Sequence, residues 1–181
     1  MSTYIWVAVV VVAVVAVAAV GYLVLQQQRR SRLRTRFGPE YERLVAEHDT
    51  RREAEQELLH REQRHAELDI RPLAEESRDT YAKRWGDVQE RFVDAPSFAV
   101  TEADQLVAAV MAERGYPTDD FEARVAYLSV GHAATLDHYR KAHEISGRAA
   151  RKEASTEELR QAMVHYRALF TELLEETTRG R

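Results

Sequence analysis

Two stretches of the chain carry residue types and spacings that could do chemistry. Glu57-Leu58-Leu59-His60 and Glu62-Gln63-Arg64-His65 each set a carboxylate three residues ahead of an imidazole. On a helix this spacing brings both groups to one face, as in the Glu-x-x-His motif of di-iron bundles. Those bundles need the motif on two different helices, with further Glu from two others. Here the copies are five residues apart in one highly charged stretch, about 140° around a helix. Solvated i,i+3 and i,i+4 charge partners account for them better. The tripeptide His-Tyr-Arg occurs at 138–140 and again at 165–167, and Tyr139 and Tyr166 both fall on inferred apolar faces. With His132 nearby, His132, His138, His143 and His165 are the candidates for a cluster that senses pH or binds a metal. Against that, seven histidines spread over several helices are more often surface or half-buried residues. Asp119, Asp120 and Glu122 are acids at a helix start, where the helix dipole accounts for them. No nucleophile elbow, phosphate loop or dinucleotide fingerprint is present. No catalytic residue and no cofactor is therefore predicted, and an enzyme is not expected.

These groups must be positioned by a chain of sharply divided charge. Residues 1–28 contain no charged side chain, and residues 29–36 hold five Arg and no acid. The rest has 30 acids against 21 basic residues, net −9. An acidic body is poor material for nucleic acid, whose binding depends on a basic surface that releases counterions. Cysteine is absent, which removes disulfides, thiolate metal sites, a catalytic thiol and cysteine lipidation. Arg outnumbers Lys 23 to 3, a bias that points to a GC-rich genome more than to any single binding role.

Tyr4 to Leu25 is an uncharged apolar run of 22 residues, roughly 33 Å as a helix against a hydrocarbon core of ~30 Å. Tyr4, Trp6, Tyr22 and Leu25 mark its two ends, the rings being suited to headgroup level. A cleavable signal peptide is the competing reading, with Ala16-Val17-Ala18 as its site. No basic residue precedes the run, however, and the run is longer than an ordinary signal core. A retained transmembrane helix over 4–25 is predicted, after a short external segment 1–3. The basic collar 26–38 places Arg29, Arg30, Arg32, Arg34 and Arg36 after the span. By the positive-inside rule these set the N-terminus outside and the large domain in the cytoplasm, and they can also sit against anionic headgroups. The span holds no pair of small residues four apart, so no GxxxG-type dimer face is indicated.

Downstream, only helical periodicity appears. Gly38-Pro39 ends the anchor, and a long charged helix is predicted over 39–70. Its apolar seam (Tyr41, Leu44, Val45, Leu58, Leu59) is thin enough to suggest a coiled-coil-like partner. A compact helical bundle over 71–176 follows. Pro72 should open a helix bearing Tyr81, Trp85, Val88 and Phe92, and Pro96 should close it. The next helix bears Ala99, Ala103, Leu106, Val107 and Val110 and is capped by Gly115. Thr118 is the expected N-cap of the following helix, which Gly131 divides from another. Residues 146–156 read as a polar linker, Ser155 and Glu158 have capping-box spacing, and Leu159, Met163, Tyr166, Phe170 and Leu173 share one face of the last helix. A short tail covers 177–181.

The phrases RFGPEYERLV, RPLAEESRDTYAKRW, VQERFVDAPSFAVTEADQLV, MAERGYPTDDFE and AMVHYRALF together resemble an uncharacterised, actinobacterial-type family of small N-terminally anchored proteins. The resemblance covers nearly all of Arg36 to Leu174 and extends to order and spacing. SVGHAA departs from it where an Asp-His-Pro turn would stand. What it implies is one span and a helical domain, with no site residues to carry over.

The expected fold is thus all-α. The expected role is a non-enzymatic interaction or scaffold module on the cytoplasmic membrane face, with the lipid bilayer and a protein as partners. The alternative is a ligand- or metal-responsive sensor using the bundle histidines, and a third possibility is a domain exported and released after Ala18.

Overall fold

Nothing between Ser2 and Gly38 interrupts a helix, and α1 (Ser2–Phe37) runs unbroken through the apolar segment and the arginine collar. The computed structural model describes residues 2–175, with side chains from Trp6 onward except those of Ala8 and Val10. The predicted tail and the Tyr4 side chain lie outside the described residues. The chain is all-α, 83% helical in eight helices, with no strand among the described residues. It divides into two compact units, Met1–Leu58 and Leu59–Arg181.

In the first unit α1 is long and apolar enough to cross a membrane, and its apolar window is not buried inside the molecule. Gly38 turns the chain at a φ of +52°, which favours glycine. Its N–H still bonds the Arg34 carbonyl at 3.0 Å, and Pro39 opens α2 (Pro39–Glu47). The single helix predicted over 39–70 is in fact two, because α3 (Arg51–Ala66) starts afresh. The break is built by side chains that compete for backbone bonds. His48 turns extended and contacts the Leu44 carbonyl through Nδ1 at 2.9 Å, and Thr50 accepts the Glu53 N–H at 3.3 Å. Thr50-x-x-Glu53 has capping-box spacing, a signal that the charge-laced pattern concealed. The unit's buried apolar residues are Leu33, Phe37, Tyr41, Leu44, Ala54 and Leu58. They recur at helical spacing because each short helix covers only one stripe.

The second unit contains α4 (Glu75–Arg91), α5 (Pro96–Glu113), α6 (Phe121–Gly131), α7 (Ala133–Ala150) and α8 (Thr156–Glu175). α8 packs on both α5 and α7, α4 packs on α5, and α6 on α7. The predicted inward faces are the observed core: Tyr81, Trp85 and Val88 on α4, the α5 stripe from Ala99 to Val110, and Leu159 to Leu173 on α8. Trp85 stacks on Phe170 at 4.7 Å between ring centres.

Several predicted boundaries move. Pro72 lies three residues ahead of α4 in a non-helical segment held by the Arg71 N–H on the Arg114 carbonyl at 2.9 Å. Pro96 opens α5 instead of closing α4. Asp120, not Thr118, caps α6, its carboxylate accepting from the Ala123 N–H at 2.7 Å. The predicted linker over 146–156 is helical as far as Ala150. Gly115 does terminate α5, at a φ of +93°, and a Cβ there would stand 2.6 Å from the Asp69 carbonyl oxygen. The Ser155–Glu158 capping box forms in both directions, at 2.8 and 3.3 Å.

Candidate functional site

The span residues Trp6, Tyr22 and Leu25 are each about two-thirds exposed or more (70, 66 and 67%). In the collar, Arg30 lies 3.3 Å from Glu55 and Arg34 lies 2.5 Å from Glu42. The collar is therefore part of a folded unit as well as the flank of an apolar segment. Arg29, Arg32 and Arg36 are on its exposed side. Burial removes much of the predicted partner-facing seam. Tyr41, Leu44 and Leu58 are 4, 3 and 0% exposed, whereas Val45 and Leu59 are half-buried. The seam was thin because it serves short helices of this same chain. Tyr41 donates to Glu55 Oε1 at 3.0 Å, and burial together with the Glu55 carboxylate raises its pKa.

The four candidate histidines do not form one cluster. His132, fully buried at the α6–α7 junction, lies between the Tyr116 hydroxyl on Nε2 (3.2 Å) and Glu172 on Nδ1 (3.0 Å). Thr135 donates to the other Glu172 oxygen at 2.6 Å. This carboxylate–imidazole–phenol chain has the order of a proton relay, but its imidazole is sealed from solvent, so it ties α8 to the α6–α7 corner. His143 stacks flat on Phe121, 3.7 Å between ring centres. His138 and His165 do meet, Nδ1 to Nδ1 at 2.8 Å.

The paired tripeptides thereby acquire a geometry, with Tyr139 and Tyr166 edge to face at 6.1 Å alongside the histidines. Burial, then the His138 and Lys141 charges, lowers the His165 pKa against the opposing pull of Asp137. Two imidazoles fall short of the three or four protein ligands of a zinc site. Among the described residues no group of three or more His, Asp or Glu is placed to hold a metal. The same holds for the two Glu-x-x-His copies, of which His65 sets its ring edge-on to Tyr116.

Sequence reasoning did not single out Asp104. It lies 3.7 Å from Arg124 and 3.9 Å from His143, beside the buried phenols of Tyr139 and Tyr166. Burial alone would raise the Asp104 pKa, but His143, Arg124 and Tyr166 outweigh it and lower it. Burial and the Asp104 charge push both phenols up, so they stay neutral.

A second feature the sequence concealed is a groove of about 180 Å³ between α4 and α8, lined by Trp85, Gln89, Phe92, Arg160, Met163, Val164 and Arg167. Val164 is 55% exposed at this groove. The buried indole N–H of Trp85 finds no acceptor among the described residues. Trp85 and Met163 face inward as their spacing predicts, but which helix lies opposite them is not written in either segment.

Fold and site together describe an all-α chain with, among the described residues, one apolar helix of spanning length and a bundle bearing a polar-rimmed apolar groove. No family model matches the chain, and no match to it was found among curated proteins or solved structures.

Proposed function

We propose that the protein is a non-enzymatic interaction module, anchored by α1 in a bilayer with its N-terminus outside and its helical body in the cytoplasm. The α4–α8 groove carries this reading. The exposed Val164 over an apolar floor and the Arg167 guanidinium at its edge, with Arg160 held by Glu157, suit a partner segment that inserts an apolar side chain and presents a carboxylate. The anchor is supported by the exposed apolar surface of α1, which water would not tolerate over such a length. Orientation is supported by the five collar arginines, which act during insertion, before Glu42 and Glu55 can pair with two of them. The bacterial, actinobacterial-type resemblance agrees with this reading and assigns no activity. A second reading, a sensor domain, keeps one observation in its favour, the 2.8 Å His138–His165 contact.

Photocrosslinking in intact cells tests the docking. A crosslinker at Val164 should capture, reproducibly, a peptide that maps to an acidic, apolar segment of one protein, and Arg167→Glu should abolish the capture. Equal capture from the exposed Thr101 position would overturn the proposal.

A further inference from the structure

A second cavity, of about 350 Å³, lies wholly within the first unit. Its walls come from Gln27, Arg30, Ser31 and Arg34 on α1, Tyr41 and Glu42 on α2, and Arg51 on α3. Arg51 was no part of the collar in sequence, yet folding brings it to the same cavity as two collar arginines. By the helical repeat Gln27, Arg30, Ser31 and Arg34 share one side of α1, whereas Arg29 and Arg36 lie on the opposite side. The collar is therefore not a uniform ring of charge.

Depth supplies a second argument. At 1.5 Å per residue, Arg30 lies about 8 Å and Arg34 about 14 Å beyond Leu25 along α1. The headgroup layer on each side of the hydrocarbon is about 5–8 Å thick. The cavity thus starts within the headgroup layer at Gln27, reaches its outer edge at Arg30 and extends about one helical turn beyond it at Arg34. Its donors are also incompletely used. The buried Arg30 Nε sits 3.3 Å from Glu55 and makes no hydrogen bond to it or to any other described residue. A guanidinium carries five N–H donors, so Arg34 keeps others after meeting Glu42. Arginine forks match phosphate oxygens bidentately. Glu42 and Ser31 can accept from hydroxyls on the same ligand, which a bare phosphate lacks.

From these positions we infer that the cavity binds the headgroup of an anionic phospholipid bearing free hydroxyls, of the phosphatidylglycerol kind, phosphate on Arg30, Arg34 and Arg51 and hydroxyls on Glu42 and Ser31. This rests on the reading of α1 as a membrane anchor and deepens it, making the collar a selective lipid site.

The test uses the full chain in detergent micelles, titrated with phosphatidylglycerol or phosphatidylcholine and followed by native mass spectrometry. Phosphatidylglycerol should be retained in preference, Arg51→Gln should weaken it about tenfold, the loss expected for one charge-assisted contact, and Arg29→Gln should change it less than twofold. If Arg51→Gln lowers the helical melting temperature, Arg34→Gln gives the same reading. Equal retention of the two lipids, or an equal loss from Arg29→Gln, overturns the site in favour of undirected charge attraction. Displacement by free glycerol phosphate at the lipid's own concentration overturns the lipid as the source of the phosphate. Carbonate extraction of membranes separately tests the anchor: release of the chain would sink that reading, while soluble glycerol phosphate would still report on the cavity.

Discussion

In Met1–Leu58 six buried apolar residues and a set of arginine–acid contacts hold the helical segments, whereas in Leu59–Arg181 a continuous core of aromatic and aliphatic side chains does so. The first unit keeps the Arg34–Glu42 pair at its surface, where ion pairs contribute little and are screened by salt. Of its described charged residues it buries only Glu40 and Glu55, the latter accepting from the Tyr41 hydroxyl. The second also has surface ion pairs, but it joins buried and half-buried groups into chains: Tyr116–His132–Glu172 at one corner, Asp104 with Arg124 and two buried phenols at another. The exposed Arg34–Glu42 pair of the first unit can be exchanged for a ligand at small cost. The second unit loses a buried network if one member is removed.

The largest effect should separate the two cores. Leu169→Ala, in the bundle, should cost about 3–5 kcal/mol, and Leu33→Ala, in the smaller first unit, about 2 kcal/mol, since a thin layer collapses around the lost side chain more easily. Urea unfolding of the full chain in micelles, with local hydrogen exchange to assign each loss, checks this. Equal losses would break the distinction.

A smaller effect sharpens the polar contrast. Glu172→Ala leaves His132 and Thr135 without their shared acceptor and should cost roughly 1–3 kcal/mol. Arg34→Ala, which frees the exposed Glu42, should cost under about 1 kcal/mol. Thermal melts at low and high salt should show a salt-dependent loss only for the second.

The smallest effect is on pH. The folded pKa of His165 lies below that of the unfolded chain, about 6.5. Between those two values the unfolded state binds more protons, so stability falls as pH drops through that window and levels off below it. His165→Asn should flatten that slope in melting curves between pH 7.5 and 5. A slope that survives the substitution would move the pH response away from the pair of tripeptides.

Much of the second unit was legible, because an amphipathic face is a local property. Residues at steps of three and four on α5 and α8 must share a side whatever they pack on, and both faces are buried as read. The Ser155–Glu158 box and the Gly115 terminus are equally local, each decided within a few residues. Boundaries failed where two local signals competed. A proline can open a helix or precede one, and at Pro72 and Pro96 the backbone bonds made elsewhere decided between them. The seam from Tyr41 to Leu59 misled for another reason. A narrow stripe has the same pattern whether its partner is another protein or the next turn of the same chain.

The amino-acid sequence by itself determined the all-helical class, the uncharged run of spanning length, the acidic body behind five arginines and the inward faces of the bundle. All are set by composition and by periodicity over one or two turns. Tertiary structure alone decided that His138 meets His165, that Arg51 joins the collar arginines around one cavity, and that Trp85 and Val164 share a groove. Each of those pairings joins residues on different helices. Which face of one helix meets which face of another depends on the shape complementarity of whole surfaces, and no short stretch of sequence contains it.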